Sequence, residues 1–235
     1  MLPPARSSII ALALSFVLGA CTPQAALLAS LIPEGTVSTL LGHLERVGDE
    51  NRQRVLALER AKNWDELARF AELNLAKEPS NADWWLIAGY ARSEAGDHRA
   101  AAKAFAEAVR LEPDAALGWN MLAQSHRAAG DSARAVNVLN NAMFAVRDAP
   151  LTVFLLGESY SDIGRYEQAV TAYQQAIAME AKFPAAWFGL GRAYARLGRM
   201  EEARQARVRL EELDPKLARR LGVGAPDAGA PTLRR

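Results

Sequence analysis

Half of the 235 residues are hydrophobic, and 28 lysines and arginines stand against 27 aspartates and glutamates. That apolar share is enough for a sizeable core, and a near-neutral chain without a basic stripe argues against nucleic acid as its main partner. A single cysteine, Cys21, excludes an internal disulfide.

Residues 1–21 read as a targeting segment. Arg6 supplies a weak positive start, and Ile9 to Leu18 supply an apolar stretch too short for a comfortable membrane span. The closing Leu18-Gly19-Ala20-Cys21 resembles the lipobox of bacterial lipoproteins. The resemblance implies removal of residues 1–20 as a signal peptide and acylation of Cys21 through a diacylglyceryl thioether and an amine-linked acyl chain (palmitate is the expected type). Each buried CH2 is worth about 0.8 kcal/mol, so several chains hold to a bilayer far better than one. The alternatives are an ordinary secretory signal with an incidental cysteine, or a retained N-terminal membrane helix. Thr22, rather than an aspartate, follows the cysteine. By resemblance to lipoprotein sorting this points to the outer membrane, facing the periplasm. Loss of Arg6 with the leader brings cations and anions level.

Residues 21–35 read as a lipidated tether, in which Ala25 to Ile32 suggest a short helix lying near the membrane or against the rest of the chain before Pro33-Glu34-Gly35 breaks it. Residues 36–81 read as a helical N-terminal cap. Leu40, Leu41, Leu44, Val47, Val55 and Leu58 keep helical spacing, with Gly48-Asp49 as a possible divide, and Trp64, Leu67, Phe70 and Leu73 lead to Pro79.

From residue 82 the same pattern returns every 34 residues. A large slot reads Trp85, Trp119, Val153, Trp187, and turn glycines follow at Gly96, Gly130, Gly164 and Gly198. A small slot reads Ala101, Ala135, Ala169, Ala203, and four residues later come Phe105, Leu139, Tyr173 and Arg207. The register resembles the tetratricopeptide repeat, W-x2-L-G-x2-Y…A-x3-F…P. It covers residues 82–217 in four copies, and 48–81 is a degenerate copy with Asn51 in the tryptophan slot. The resemblance implies an all-α, right-handed solenoid of antiparallel helix pairs. Each pair cannot bury its apolar face alone, so stacking makes one continuous core. The departures are Arg92 and His126 in a tyrosine slot, Arg207 in an aromatic slot, and Arg147 and Ala181 where the closing proline stands at Pro113 and Pro215. Lys216 to Leu221 begin the expected capping helix, so residues 82–221 hold the repeats with their cap, and 222–235 form a Gly/Ala/Pro-rich tail expected to be disordered. Trp84, beside an anchor, is expected to cover the preceding pair near Phe70 and Leu73, or else to be an exposed contact.

No catalytic constellation emerges. The three histidines, His43, His98 and His126, are scattered, and no Cys/His cluster or glycine-rich phosphate loop is present. Gly157-Glu158-Ser159-Tyr160-Ser161 lacks the second glycine and the strand of a nucleophile elbow. No cofactor, no metal and no enzymatic activity are expected.

What the resemblance implies instead is a groove lined by the first helix of each pair. One residue past each anchor come Leu86, Asn120, Phe154 and Phe188, and a turn later Tyr90, Gln124, Glu158 and Arg192. Arg127 and Ser161 follow, with Asp162 and Arg196 beside them. An apolar floor of Leu86, Tyr90, Phe154 and Phe188, decorated with amides and both signs of charge, suits a peptide. Alternatively Phe154 and Phe188 only pack against a neighbouring helix or the N-terminal segment. The function expected is a membrane-anchored protein–protein interaction scaffold or adaptor in the assembly of a pilus, secretion or cell-wall complex. The other readings are a self-associating structural lipoprotein, a homo-oligomer, and an accessory to a cell-wall enzyme.

Overall fold

The computed structural model describes residues 46–223. The leader, Cys21, the tether, the first part of the cap and the tail from 224 onward lie outside the described residues. Those described form eleven helices and no strand: α1 Asp49–Arg60, α2 Trp64–Leu75, α3 Ala82–Glu94, α4 His98–Leu111, α5 Ala116–Ala128, α6 Ser132–Ala145, α7 Pro150–Asp162, α8 Tyr166–Met179, α9 Pro184–Arg196, α10 Met200–Leu213 and α11 Pro215–Arg220.

Local sequence accounts for where these helices begin and end. Asn63, Asp97 and Asp131 accept a hydrogen bond from the backbone N–H three residues on, so α2, α4 and α6 start under a side-chain cap. At α8 and α10 that position holds Arg165 and Arg199, which cannot cap; α7 and α9 instead open on proline, whose fixed φ suits a first helical turn, and α11 has both a proline and the Asp214 cap. The four turn glycines sit at positive φ, for example +80° at Gly130, where a Cβ would be strained.

Among the described residues consecutive helices pack against one another, and α7 additionally touches α5 and α9. The first helices α5, α7 and α9 are therefore close neighbours, as on the inner wall of a curved stack. This is the solenoid expected from the repeat.

Within a pair, packing obeys a size rule. Where the second helix carries a ring, the first carries glycine: a Cβ at Gly89 would lie 2.6 Å from Phe105, and one at Gly157 would lie 2.7 Å from Tyr173. Where the second helix carries Leu139, the first has room for Ala123. In the last repeat Arg207 turns to Glu211, and the place of the ring is taken by Leu221 from just beyond α11, whose Cδ2 would be 2.6 Å from a Cβ at Gly191. The missing aromatic at 207 is thus made good by the capping segment. Tyr173 is held from both sides, because a Cβ at Gly189 in the next repeat would also come within 2.6 Å of its ring. With no direction in which the ring can retreat, Gly157→Ala is expected to cost about 1–3 kcal/mol by overpacking, seen as a lowered urea midpoint in far-UV circular dichroism.

The tryptophan anchors do something other than fill space between the helices of a pair. Trp85, Trp119 and Trp187 are half-buried, and each indole N–H donates to the carbonyl six residues back: Pro79 at 3.1 Å, Pro113 at 2.8 Å and Ala181 at 3.1 Å. Each brackets the loop that leads into its own repeat. Trp84 is buried edge-on against Phe70, ring centroids 5.7 Å apart, whereas Leu73 stays exposed.

Candidate partner-binding groove

The inner wall is built from α3, α5, α7 and α9, and its residues divide sharply by accessibility. Gln124 and Arg192 are half-buried, and Arg196 is exposed. Leu86, Tyr90, Asn120, Phe154, Glu158 and Phe188 are buried. The open apolar floor expected from Leu86, Tyr90, Phe154 and Phe188 is therefore corrected: their side chains are enclosed. Phe154 is 0 % exposed, its ring 5.1 Å from Phe183 and 5.8 Å from Tyr173. Phe183 stands at the end of the third repeat and closes over Phe154 from the C-terminal side, where a smaller residue would leave a pocket.

Tyr90 faces the preceding pair. Its ring meets Trp64 edge-on at 5.8 Å, and its hydroxyl reaches Glu59 at 3.5 Å. Burial, aided by the charges of Glu94 and Glu59, raises its pKa far above the ordinary tyrosine value, so it serves as a neutral donor. Phe188 lies under the Arg192 guanidinium, 5.7 Å from its ring centroid, which keeps that cation on the wall by a cation–π contact.

Glu158, Arg127 and Tyr173 form a buried polar cluster. Arg127 Nε donates to Asp162 Oδ2 at 2.8 Å, and Arg127 Nη2 reaches Glu158 Oε2 at 3.4 Å. The Arg127 side chain is only 6 % exposed. The other Glu158 oxygen accepts from the Tyr173 hydroxyl, and Ser132 Oγ donates to Asp162 at 3.0 Å. Burial pulls the Arg127 pKa down, but the hydrogen bond and charge of Asp162 and the charge of Glu158 outweigh it and leave it above the usual arginine value. Burial first, then Glu158, pushes Tyr173 well above the ordinary phenol range, so it remains a proton donor to the carboxylate. Asn120, one repeat turn away, accepts from Thr152 Oγ1 at 2.8 Å.

The groove residues thus fall into two sets. Arg127, Glu158 and Asn120 join neighbouring repeats. Gln124, Arg192 and Arg196, with half-buried Ser161 and exposed Asp162, form the solvent-accessible polar part of the wall. The sequence reading missed Tyr173 and Thr152 as partners of this wall. Tyr173 lies on a second helix, and its hydroxyl reaches the wall only because Gly157 lets its ring pass beneath α7. Among the described residues no group of His, Cys, Asp and Glu converges on a cation site, and no helix is long and apolar enough to cross a membrane.

The fold has well-covered structural relatives. A crystal structure of MamA superposes with a TM-score of 0.62 at 21 % identity, over 69 % of this chain and 95 % of its own. YrrB, described as a TPR protein with an unusual peptide-binding site, gives 0.58 at 17 % identity over 71 % of this chain and 87 % of its own. PilW, a type IV pilus biogenesis factor, gives 0.59 at 18 % identity over 73 % and 84 %. At these identities the likeness is one of fold. No curated protein sequence matches the chain significantly. The tetratricopeptide repeat family model matches residues 88–150 and 154–218, more than half of the chain. The 34-residue register, the paired helices and this match agree, and the chain belongs to the tetratricopeptide repeat family.

Proposed function

We propose that this protein is a lipid-anchored adaptor of the bacterial cell envelope that holds a segment of a partner protein against its inner wall. The observation that carries the reading is the polar row on that wall. Gln124, Arg192 and Arg196 are accessible, and they are fixed on helices whose own contacts are already satisfied, so little ordering cost remains for binding. Amide and guanidinium groups on rigid helices suit main-chain carbonyls and acidic side chains of an extended or helical segment. The Leu18-Gly19-Ala20-Cys21 ending supports anchoring through Cys21, and Thr22 supports the outer membrane with the array in the periplasm. That fold neighbours include a peptide-binding protein and a pilus biogenesis factor is consistent with a role in assembling an envelope machine.

Two measurements test the halves of this reading separately. Cys21→Ser should move the protein from the membrane to the soluble fraction; a variant that stays with the membrane rejects the anchor. In-cell crosslinking and pull-down, followed by mass spectrometry, should enrich one envelope complex with the wild-type chain. The Arg192→Glu, Arg196→Glu double variant should lose that complex while keeping its helical circular dichroism. Recovery of the chain alone would assign it instead to self-association.

A further inference from the structure

The array has two edges. Turn glycines join the helices of a pair at one edge, and loops 76–81, 112–115, 146–149 and 180–183 join successive pairs at the other. Exposed large apolar side chains gather at this second, loop edge. Phe144 and Met179 lie in the last turns of α6 and α8, and Leu151 lies in the first turn of α7, against which both helices pack. Leu73 lies in the last turn of α2. Among the described residues only Met200 and Val208, both on α10, are exposed elsewhere. Packing within the repeat does not account for the loop-edge side chains. Where Phe144 is 92 % exposed, the other repeats carry Arg110, Ala178 and Glu212 in the same slot. Where Leu73 stands, they carry Glu107, Asn141 and Gln175. The stack is indifferent to size and polarity at these slots, so the ring and the leucine serve something outside it.

The chain enters the array at the same edge. Arg46, the first described residue, donates its backbone N–H to Asp83 Oδ2 at 3.1 Å, in the first turn of α3. Its guanidinium binds Glu112, just past the end of α4, and Val47 beside it is buried. Upstream, Cys21 is at most about 90 Å away even when the intervening chain is fully extended, at ~3.6 Å per residue. An acyl anchor at Cys21 therefore brings the loop edge to the bilayer ahead of the turn edge. It also keeps that edge at a high effective concentration there, so a contact of a few side chains suffices.

The make-up of the edge selects lipid over protein. Its apolar side chains stand singly, with Arg147 and Asp148 between Phe144 and Leu151, and Glu180 and Lys182 just past Met179. A protein interface of standard size needs about 800 Å² of matched surface on each partner. A bilayer surface is fluid and asks for no matching shape. Single rings and aliphatic chains enter it while charged neighbours stay in the water. Opposite charges offset one another in both loops, so the contact is apolar and should persist at high salt on uncharged lipid.

We propose that the loop edge, centred on Phe144, Leu151 and Met179, lies on the surface of the membrane leaflet that holds the Cys21 acyl chains. The proposal rests on the anchor of the adaptor reading above. The first helices then stand with their N-termini at the bilayer, and the inner wall with Gln124, Arg192 and Arg196 opens sideways to a partner.

The test uses the acylated protein, purified from membranes and reconstituted at low density into phosphatidylcholine vesicles at high salt. Acylation blocks the sole native cysteine, so a nitroxide can be placed through Ala145→Cys or Ala181→Cys at the loop edge, or through Ala128→Cys at the turn edge. All three alanines are exposed. Collisions with oxygen, which concentrates in hydrocarbon, and with a neutral nickel chelate, which stays in water, read how deeply each label sits. The oxygen-to-nickel ratio should be higher for the two loop-edge labels than for the turn-edge label. Phe144→Asp should abolish that excess without changing the helical circular dichroism, and Phe144→Trp, which keeps an interfacial ring, should preserve it. Equal ratios at all three sites, in protein that floats with the vesicles, overturn the edge contact and leave the anchor standing. Loss of oxygen and nickel collisions together at the loop edge, growing with protein density, overturns it in favour of a second copy of the chain. Protein that does not float with the vesicles rejects the anchor, and the edge contact with it.

Discussion

Arg127→Met is expected to destabilise the protein by about 3–5 kcal/mol, the cost of leaving a buried charge without its counter-charge. Methionine keeps an unbranched stem of similar length, so packing changes little and the loss is chiefly electrostatic. Burial decides the magnitude: the Arg127 and Glu158 side chains are 6 % and 2 % exposed. After the change Glu158 keeps the Tyr173 hydroxyl as donor, and Asp162 keeps Ser132. Arg209→Met is the matched control. Its pair with Glu212 lies at the surface, where such contacts are worth about 0–1 kcal/mol. Urea unfolding followed by far-UV circular dichroism should separate the two clearly. Adding Glu158→Gln to Arg127→Met should recover part of the loss, because the stranded charge is then gone while the Tyr173 hydroxyl still has an oxygen to meet. Equal costs for the two arginine changes would show that water reaches the cluster and screens it.

The architecture was legible because each repeat writes it locally. A period of 34, glycines at the turns, and alanines opposite rings are all short-range signals, and helix starts follow from Asp97, Asp131 and the prolines at 150, 184 and 215. The size rule was also visible in principle, since Gly89 and Gly157 accompany Phe105 and Tyr173 while Ala123 accompanies Leu139. Accessibility on the inner wall was not legible. It depends on what the next repeat brings, and that varies residue by residue. Arg127 points into the wall by register, yet Asp162 and Glu158 from the following repeat take two of its nitrogens. The signal was there in the spacing: Asp162 lies one repeat and one residue beyond Arg127, which places opposite charges on adjoining helices. Likewise the tryptophans fill their slots in the sequence, but only the folded loop reveals that each indole is spent on a carbonyl six residues back.

Phe154→Ala is expected to cost about 3–5 kcal/mol, as for other fully buried aromatic truncations. The ring has no exposed surface and is closed in by Phe183 and Tyr173, so its removal leaves a cavity that the Gly157–Tyr173–Gly189 stack cannot collapse into without moving its ring. The site of the loss matters as much as its size. Phe154 lies where the third repeat meets the fourth, and in a stacked array stability is carried by interfaces between neighbours. Weakening this one should let α9 to α11 melt ahead of the rest, turning a single unfolding transition into two. Gln124→Ala on the accessible part of the wall should stay within about 0.5 kcal/mol of wild type and keep one transition. Partner capture, measured at a temperature where every variant retains full helicity, then separates packing from recognition. A core ring predicts that Phe154→Ala lowers the urea midpoint and captures normally. Lost capture at full helicity would instead return Phe154 to the surface that the partner touches, and would require Phe183 to move aside when the segment binds.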